Sequence, residues 1–162
     1  MAYWLFKSEP SVFSFADLKA AGRTDWNGVR NYQARNLMIS MQLGDQGFFY
    51  HSNAEVIGIV GIVEVVRTAY PDHSALDPTS RYFDPKATPA NPIWQMVDVA
   101  FHSEFPRTVT LTELKATPSL EEMPLLRRGQ RLSVQPVNPQ EWQIICELAH
   151  TIAPRVRPYT PE

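Results

Sequence analysis

Tyr3-Trp4-Leu5-Phe6-Lys7-Ser8-Glu9-Pro10 runs four large apolar side chains into a polar corner that closes on a proline. Residues 2–7 read as a strand with Tyr3 and Leu5 on one face and Trp4 and Phe6 on the other, so both faces are covered. Pro10 has no N–H to give a ladder, and the strand stops with Lys7 and Ser8 at its mouth. The corner is either a plain turn or part of a site.

Similar strand patterns recur outward from this run. Gly44-Asp45 turns the chain into residues 46–52, where Phe48 and Tyr50 alternate with Phe49 and His51. Residues 57–69 follow, rich in Ile and Val, with Gly58 and Gly61 allowing a bend or a close backbone approach. Strands are also expected at 93–105 and 131–136. In the last, Leu132 and Val134 oppose Arg131, Ser133 and Gln135. Between them, Ser14 with Asp17 opens a helix that closes at Gly22. Thr110-Leu111-Thr112-Glu113 is a second capping box. Asn138-Pro139-Gln140-Glu141 starts a helix burying Trp142, Ile145, Cys146 and Ala149. The pattern predicts an α+β domain: one bent, mostly antiparallel, barrel-like sheet with short helices around it. Residues 1–150 form that domain, and 151–162, carrying several prolines, form a loosely held tail.

Composition narrows the class. The 162 residues suit one domain, and a net charge of −2 with pI near 6.1 excludes a generally cationic coat. A local basic cleft is still open, because 11 of the 15 basic residues are Arg, which suits forked contacts to phosphates or base edges. The single Cys forbids an internal disulfide, and no Cys/His spacing suggests zinc, so a reducing, cytoplasmic location and no metal are expected. No signal peptide and no apolar run long enough to span a bilayer is visible.

The residues richest in chemistry are Trp26-Asn27-Gly28-Val29-Arg30-Asn31-Tyr32-Gln33-Ala34-Arg35-Asn36. Ala34, Leu37, Met38 and Met41 follow helical spacing, with Asn31 as N-cap, so this polar and aromatic set sits where a helix begins. Unpaired N–H groups there, with Arg30 and Arg35 nearby, suit a phosphate or a base carbonyl. Trp26 is either a flat wall of a site or a core residue. His51 and Ser52 stand at a strand end that could face the same cleft, although a strand-end His is often structural. Pro71–Pro92 is a long proline-rich loop, of a kind that is often functional, and contains Asp72-His73 and Tyr82-Phe83-Asp84-Pro85. Trp94, just after it, is a second possible wall or a core Trp. Catalytic signatures such as G-x-S-x-G, H-E-x-x-H, a Walker loop or G-x-G-x-x-G are absent. The four histidines, 51, 73, 102 and 150, are scattered.

Taken together, Tyr3–Pro10, Trp26–Asn36, Phe48-Phe49-Tyr50-His51-Ser52-Asn53, Ala69-Tyr70-Pro71-Asp72-His73, Trp94 with Val97-Asp98-Val99, and Arg131–Pro136 resemble the EVE domain family in order and content, from about Tyr3 to Leu148. The resemblance implies a PUA-like fold, a small bent β-barrel with helices around it, and binding of a modified base in DNA or RNA. On that reading the base pocket is built from Lys7, Ser8, Trp26, Val29, Arg30, Asn31, His51, Ser52 and Trp94. Arg30, Arg35, Arg127, Arg128 and Arg131 contact phosphates, because long cationic side chains around a pocket meet the backbone first. A non-catalytic monomer without a cofactor is expected. The competing reading is an enzyme acting on a nucleotide or nucleic acid in the same cleft, with His51 or His73 as acid or base. A weaker third reading is a protein-interaction domain.

Overall fold

The computed structural model describes residues 1–129 and 132–151. Its framework is one six-stranded sheet. The strands are β1 (Tyr3–Ser8), β2 (Arg23–Asp25), β3 (Gln46–His51), β4 (Gly58–Pro71), β5 (Gln95–Thr110) and β6 (Val134–Val137). They lie in the order β2-β5-β4-β3-β1-β6, and every neighbouring pair is antiparallel except β1 and β3. The mixed α+β architecture, with a predominantly antiparallel sheet and short helices, agrees with the PUA-like expectation.

The alternation in β1 separates two cores. Trp4 and Phe6 join Trp26, Phe49, Val97 and Val99, whereas Leu5 joins Phe48, Tyr50, Ile59 and Trp142. Trp142 lies flat on Phe48, with centroids 4.0 Å apart, and on Tyr3 at 4.4 Å. Burial of one such aromatic contributes about 1.5–3 kcal/mol, more than a helix cap at about 1 kcal/mol, so the two cores dominate the sheet's stability. The long strands bend where register is lost, at Phe49/Tyr50 against β4 and at several points between β4 and β5. Gly61 sits in this bent region. A Cβ there would lie 2.4 Å from the Phe15 ring and 2.5 Å from the Ser103 carbonyl, which is the close approach its sequence position suggested.

Helix α1 (Phe15–Ala21) starts with the reciprocal Ser14/Asp17 box, and α4 (Pro139–His150) with the Asn138/Glu141 box. Helix α2 (Tyr32–Ser40) is capped by Asn31 and buries Ala34 and Met38; Met41, just past its end, is also buried. Short helix α3 (Leu111–Lys115) differs from expectation. Thr110 caps the Glu113 N–H, but the Glu113 carboxylate turns to Arg107 at 2.6 Å, where a full charge outcompetes the backbone donor. Residues 118–120 and 124–126 form single 3₁₀ turns.

Other corrections follow from local geometry. β5 begins at Gln95, because Ile93 takes a positive φ of 60° that breaks the extended run. β6 covers Val134–Val137 instead of 131–136, and Gln135 is buried, its amide donating to the Leu132 carbonyl. Cys146 is half-buried rather than core. β2 was not foreseen, since three residues carry no measurable alternation. Arg131 and the tail beyond Thr151 lie outside the described residues.

Candidate functional site

The parallel pairing of β1 with β3 brings Ser8 opposite His51, so both strands end at one edge. There the Ser52 N–H donates to the Ser8 carbonyl at 3.0 Å and the Lys7 N–H to the Ser133 carbonyl at 2.8 Å. β2 ends beside them at Asp25, and the Trp26 N–H donates to Val97 O at 2.8 Å. These ends enclose a cavity of about 480 Å³, in the range of small-molecule sites. Lys7, Ser8, Thr24, Asp25, Trp26, Val29, Ser52 and Ser133 line it from the sheet side. Trp26 is 8% exposed and is gripped edge-on by Phe6 (5.1 Å) and Phe49 (5.7 Å). Trp26 is anchored in the core and is also among the residues that line the cavity.

The loop between β4 and β5 supplies Arg81 and Tyr82 to the same cavity. Asp72 fixes that loop. Its fully buried carboxylate accepts from the Gly28 N–H (2.8 Å), Arg30 Nη1 (3.0 Å), the Ser74 N–H (2.9 Å) and Ser74 Oγ (2.6 Å). Burial alone would raise its pKa, but these donors outweigh burial and hold it below the usual carboxylate range. Gly28 is required here on two counts. It has φ 84°, and a Cβ on it would stand 2.7 Å from the Tyr82 ring.

The cavity mixes charges. Burial pulls the Lys7 ammonium below its usual pKa, and it lies 6.0 Å from the centre of Tyr50, whose hydroxyl burial pushes upward. Asp25 accepts from the Asn27 amide at 2.5 Å and faces His73 Nε2 at 3.3 Å. Arg81 lies 5.1 Å from the Tyr82 ring centre. The lining therefore offers flat aromatic surface, hydroxyls, two carboxylates (Glu9 and Asp25) and cations, enough to pack a planar heterocycle and match donors and acceptors along its edge.

Of the nine predicted pocket residues, Lys7, Ser8, Trp26, Val29 and Ser52 share this lining and the other four do not. Arg30 commits its guanidinium to Tyr82 O, Val29 O, Asp72 and Ser74. Four of its five donor hydrogens are engaged, which leaves it a brace for the loop and poorly placed for phosphate. Asn31 uses its side-chain oxygen to cap the Ala34 N–H and does not reach the cavity lining. His51 Nε2 accepts the Phe15 N–H at 3.0 Å, and burial lowers its pKa, so it is a neutral structural acceptor. Trp94 centres a small separate cluster with Ala75 and Ala87, and its indole N–H donates to Asp84 at 2.8 Å.

Among the predicted phosphate contacts, Arg35 donates to Ile93 O and to the Asn36 side chain. Arg127 and Arg128 are exposed and outside the cavity lining, Arg127 lying 3.7 Å from Glu122. Val12, Phe13, Thr24, Asp25, Arg81, Tyr82 and Ser133 were missed as site residues, whereas Glu9, Asn27 and Gly28 lay in stretches read as site candidates without a role of their own. The Asn27-Gly28 turn signal and the long loop were visible, but no local pattern shows which loop residues fold back. Among the described residues, no three His, Cys, Asp or Glu side chains are grouped to hold a metal ion, and no helix is long and apolar enough to cross a membrane.

The strand ends, the Trp26 wall and the Asn31-capped helix occur in the order that the motif run suggested. The model of one family, the EVE domain, matches residues 2–148. The chain belongs to the EVE domain family. This EVE domain is 44% identical over 168 residues to mouse thymocyte nuclear protein 1, covering 92% of the chain and 74% of that relative. A solved Pseudomonas putida protein superposes on it with a TM-score of 0.89 at 51% identity, covering 91% of this chain and 99% of that one. The human THYN1 protein, solved in complex with 5-methylcytosine containing DNA, superposes with a TM-score of 0.86 at 39% identity, covering 94% and 99%.

Proposed function

We propose that this EVE domain binds a nucleic-acid strand and takes one modified base out of its stack into the cavity between Trp26 and Tyr82. The observation that carries this reading is the cavity itself: three aromatic residues, Phe13, Trp26 and Tyr82, and a set of short polar side chains line one concave space at the converging strand ends. The solved complex of a relative with 5-methylcytosine containing DNA supports nucleic acid as the partner class. Stacking on an aromatic ring contributes about 1–3 kcal/mol per base but tolerates every base, so discrimination falls to the edge contacts. Asp25 and the Ser8 and Ser52 hydroxyls can accept from an exocyclic amine, and Lys7 can donate to a ring nitrogen or carbonyl. Binding is non-catalytic on this reading. His51 is occupied by the Phe15 N–H, and His73 is exposed and outside the lining, so neither is assigned as an acid or base.

Matched oligonucleotides with and without 5-methylcytosine test the proposal. Tyr82→Ala and Trp26→Phe are expected to lower the preference for the modified strand, with folding checked by thermal unfolding. Both variants keeping the wild-type preference would place the base elsewhere.

A further inference from the structure

Outside the cavity, arginines and aromatic rings form a row that begins at its rim. The Arg81 guanidinium lies 5.1 Å from the Tyr82 centre, and Arg30 lies 5.8 Å from Tyr82 and 5.4 Å from Trp94. Trp94 then stacks on Tyr32, with centroids 4.8 Å apart and planes inclined by 27°. Arg35 completes the row at 4.9 Å from the Tyr32 centre. The two stacked rings differ sharply in exposure: Trp94 is 5% exposed and Tyr32 is 59% exposed. Arg35 is also only 5.9 Å from Trp94, too close for it to lie on the side of Tyr32 that faces away from the indole. That outer face of Tyr32 is therefore open, backed by a rigid ring and flanked by a guanidinium. Arg35 is held there by its bonds to Ile93 O and Asn36, which use three of its donor hydrogens and leave two for an anion.

We infer that the open face of Tyr32 is a second stacking platform, which takes an unpaired base on the same strand as the base held in the cavity, with Arg35 on the phosphate beside it. The inference rests on the base-reading proposal for the cavity. A nucleobase fits the platform because it is flat and joined to its neighbour by an anion, which suits an open ring with the Arg35 guanidinium beside it. A pre-stacked tyrosine also loses little freedom when a base lands on it. Continuity through Tyr82 and Arg30 links the platform to the cavity rim. Arg30 is the buried brace of this row, and Arg35 and Arg81 are its cations at the surface.

The test uses the full chain and single-stranded DNA oligonucleotides carrying one 5-methylcytosine, with every nearby position intact or made abasic in turn. Tyr32→Ala is expected to weaken binding to the intact strand by about five- to 150-fold, the range for loss of one stacked base, with Tyr32→Phe close to wild type. One abasic position should weaken wild type similarly and abolish the difference between wild type and Tyr32→Ala. In a duplex whose nearby bases are paired, Tyr32→Ala should cost little. Unchanged affinity in Tyr32→Ala, or an equal loss in duplex and single strand, would overturn the platform; if wild type then still preferred the modified strand, the cavity reading would survive. Loss of binding in Tyr32→Ala that one abasic position removes, in a wild type with no preference for the modified base, would support the platform and defeat the cavity reading. A wild type that binds no strand would defeat both.

Discussion

Replacing Asp72 by alanine removes the anchor that holds the Tyr82 wall. The carboxylate is fully buried and receives four hydrogen bonds, from Gly28, Arg30 and twice from Ser74. Its loss leaves the Arg30 guanidinium, whose side chain is 22% exposed, without a counter-charge, and leaves the Gly28 and Ser74 N–H groups without an acceptor. Breaking a buried pair from one side costs about 3–5 kcal/mol. Arg30 keeps three other acceptors and some water, which places the expected cost nearer 3 kcal/mol in urea unfolding. The Arg30→Met/Asp72→Ala double variant should lose less than the sum of the singles, because no charge is then stranded. Asp72 has a folded pKa below its unfolded value near 3.8, so its contribution is complete above that value and disappears as pH falls through the folded pKa. Wild type should therefore lose stability in that acid window more steeply than Asp72→Ala. Preference for the modified strand should fall as well, since Tyr82 and Gly28 both lose their fixed positions. A stability loss under about 1 kcal/mol with the preference intact would refute the claim that Asp72 organises the site.

Two further outcomes follow from the same geometry. Gly28→Ala combines a left-handed backbone, costing about 1–2 kcal/mol, with a Cβ pressed into the Tyr82 ring, so it should weaken both stability and binding; Gly28→Ala in a Tyr82→Ala background should cost clearly less, and equal costs in thermal unfolding would show that the ring is not the obstacle. His51 has its pKa lowered from 6.5 by burial, so as pH falls below 6.5 the unfolded chain takes the proton first and stability declines until folded His51 protonates; urea unfolding between pH 7.5 and 5.5 should show a shallower decline in His51→Gln, and an unchanged slope would mean that His51 is not the group responsible.

The sheet was legible wherever burial on two faces imposed alternation. Leu5 and Phe6 fall into opposite cores as their positions in β1 dictate, and the same holds for Phe48 and Phe49 in β3. Helix starts were legible through Ser14, Asn31 and Asn138, because a cap is a local bond between residues three apart. Pocket residues at strand ends, Lys7, Ser8 and Ser52, could be placed for a similar reason, since a strand's end is set by its own sequence. Arg30 and His51 could not, because their partners, Asp72 and the Phe15 N–H, lie 42 and 36 residues away. Their residue types suggested ligand chemistry while their contacts are structural. Tyr82 went unseen for the converse reason. Nothing in the loop's local pattern shows that Asp72 and Trp94 pin its two ends so that residue 82 lands on the cavity.

The central claim, that one modified base enters the cavity, is tested most directly by the ratio of wild-type affinities for matched modified and unmodified strands across a range of salt concentrations. Phosphate contacts are the same for both strands, so each affinity should fall with salt while their ratio stays above about ten and constant, as a base-edge reading requires. A ratio of one at every salt concentration, or a preference that disappears as salt rises, would contradict the account.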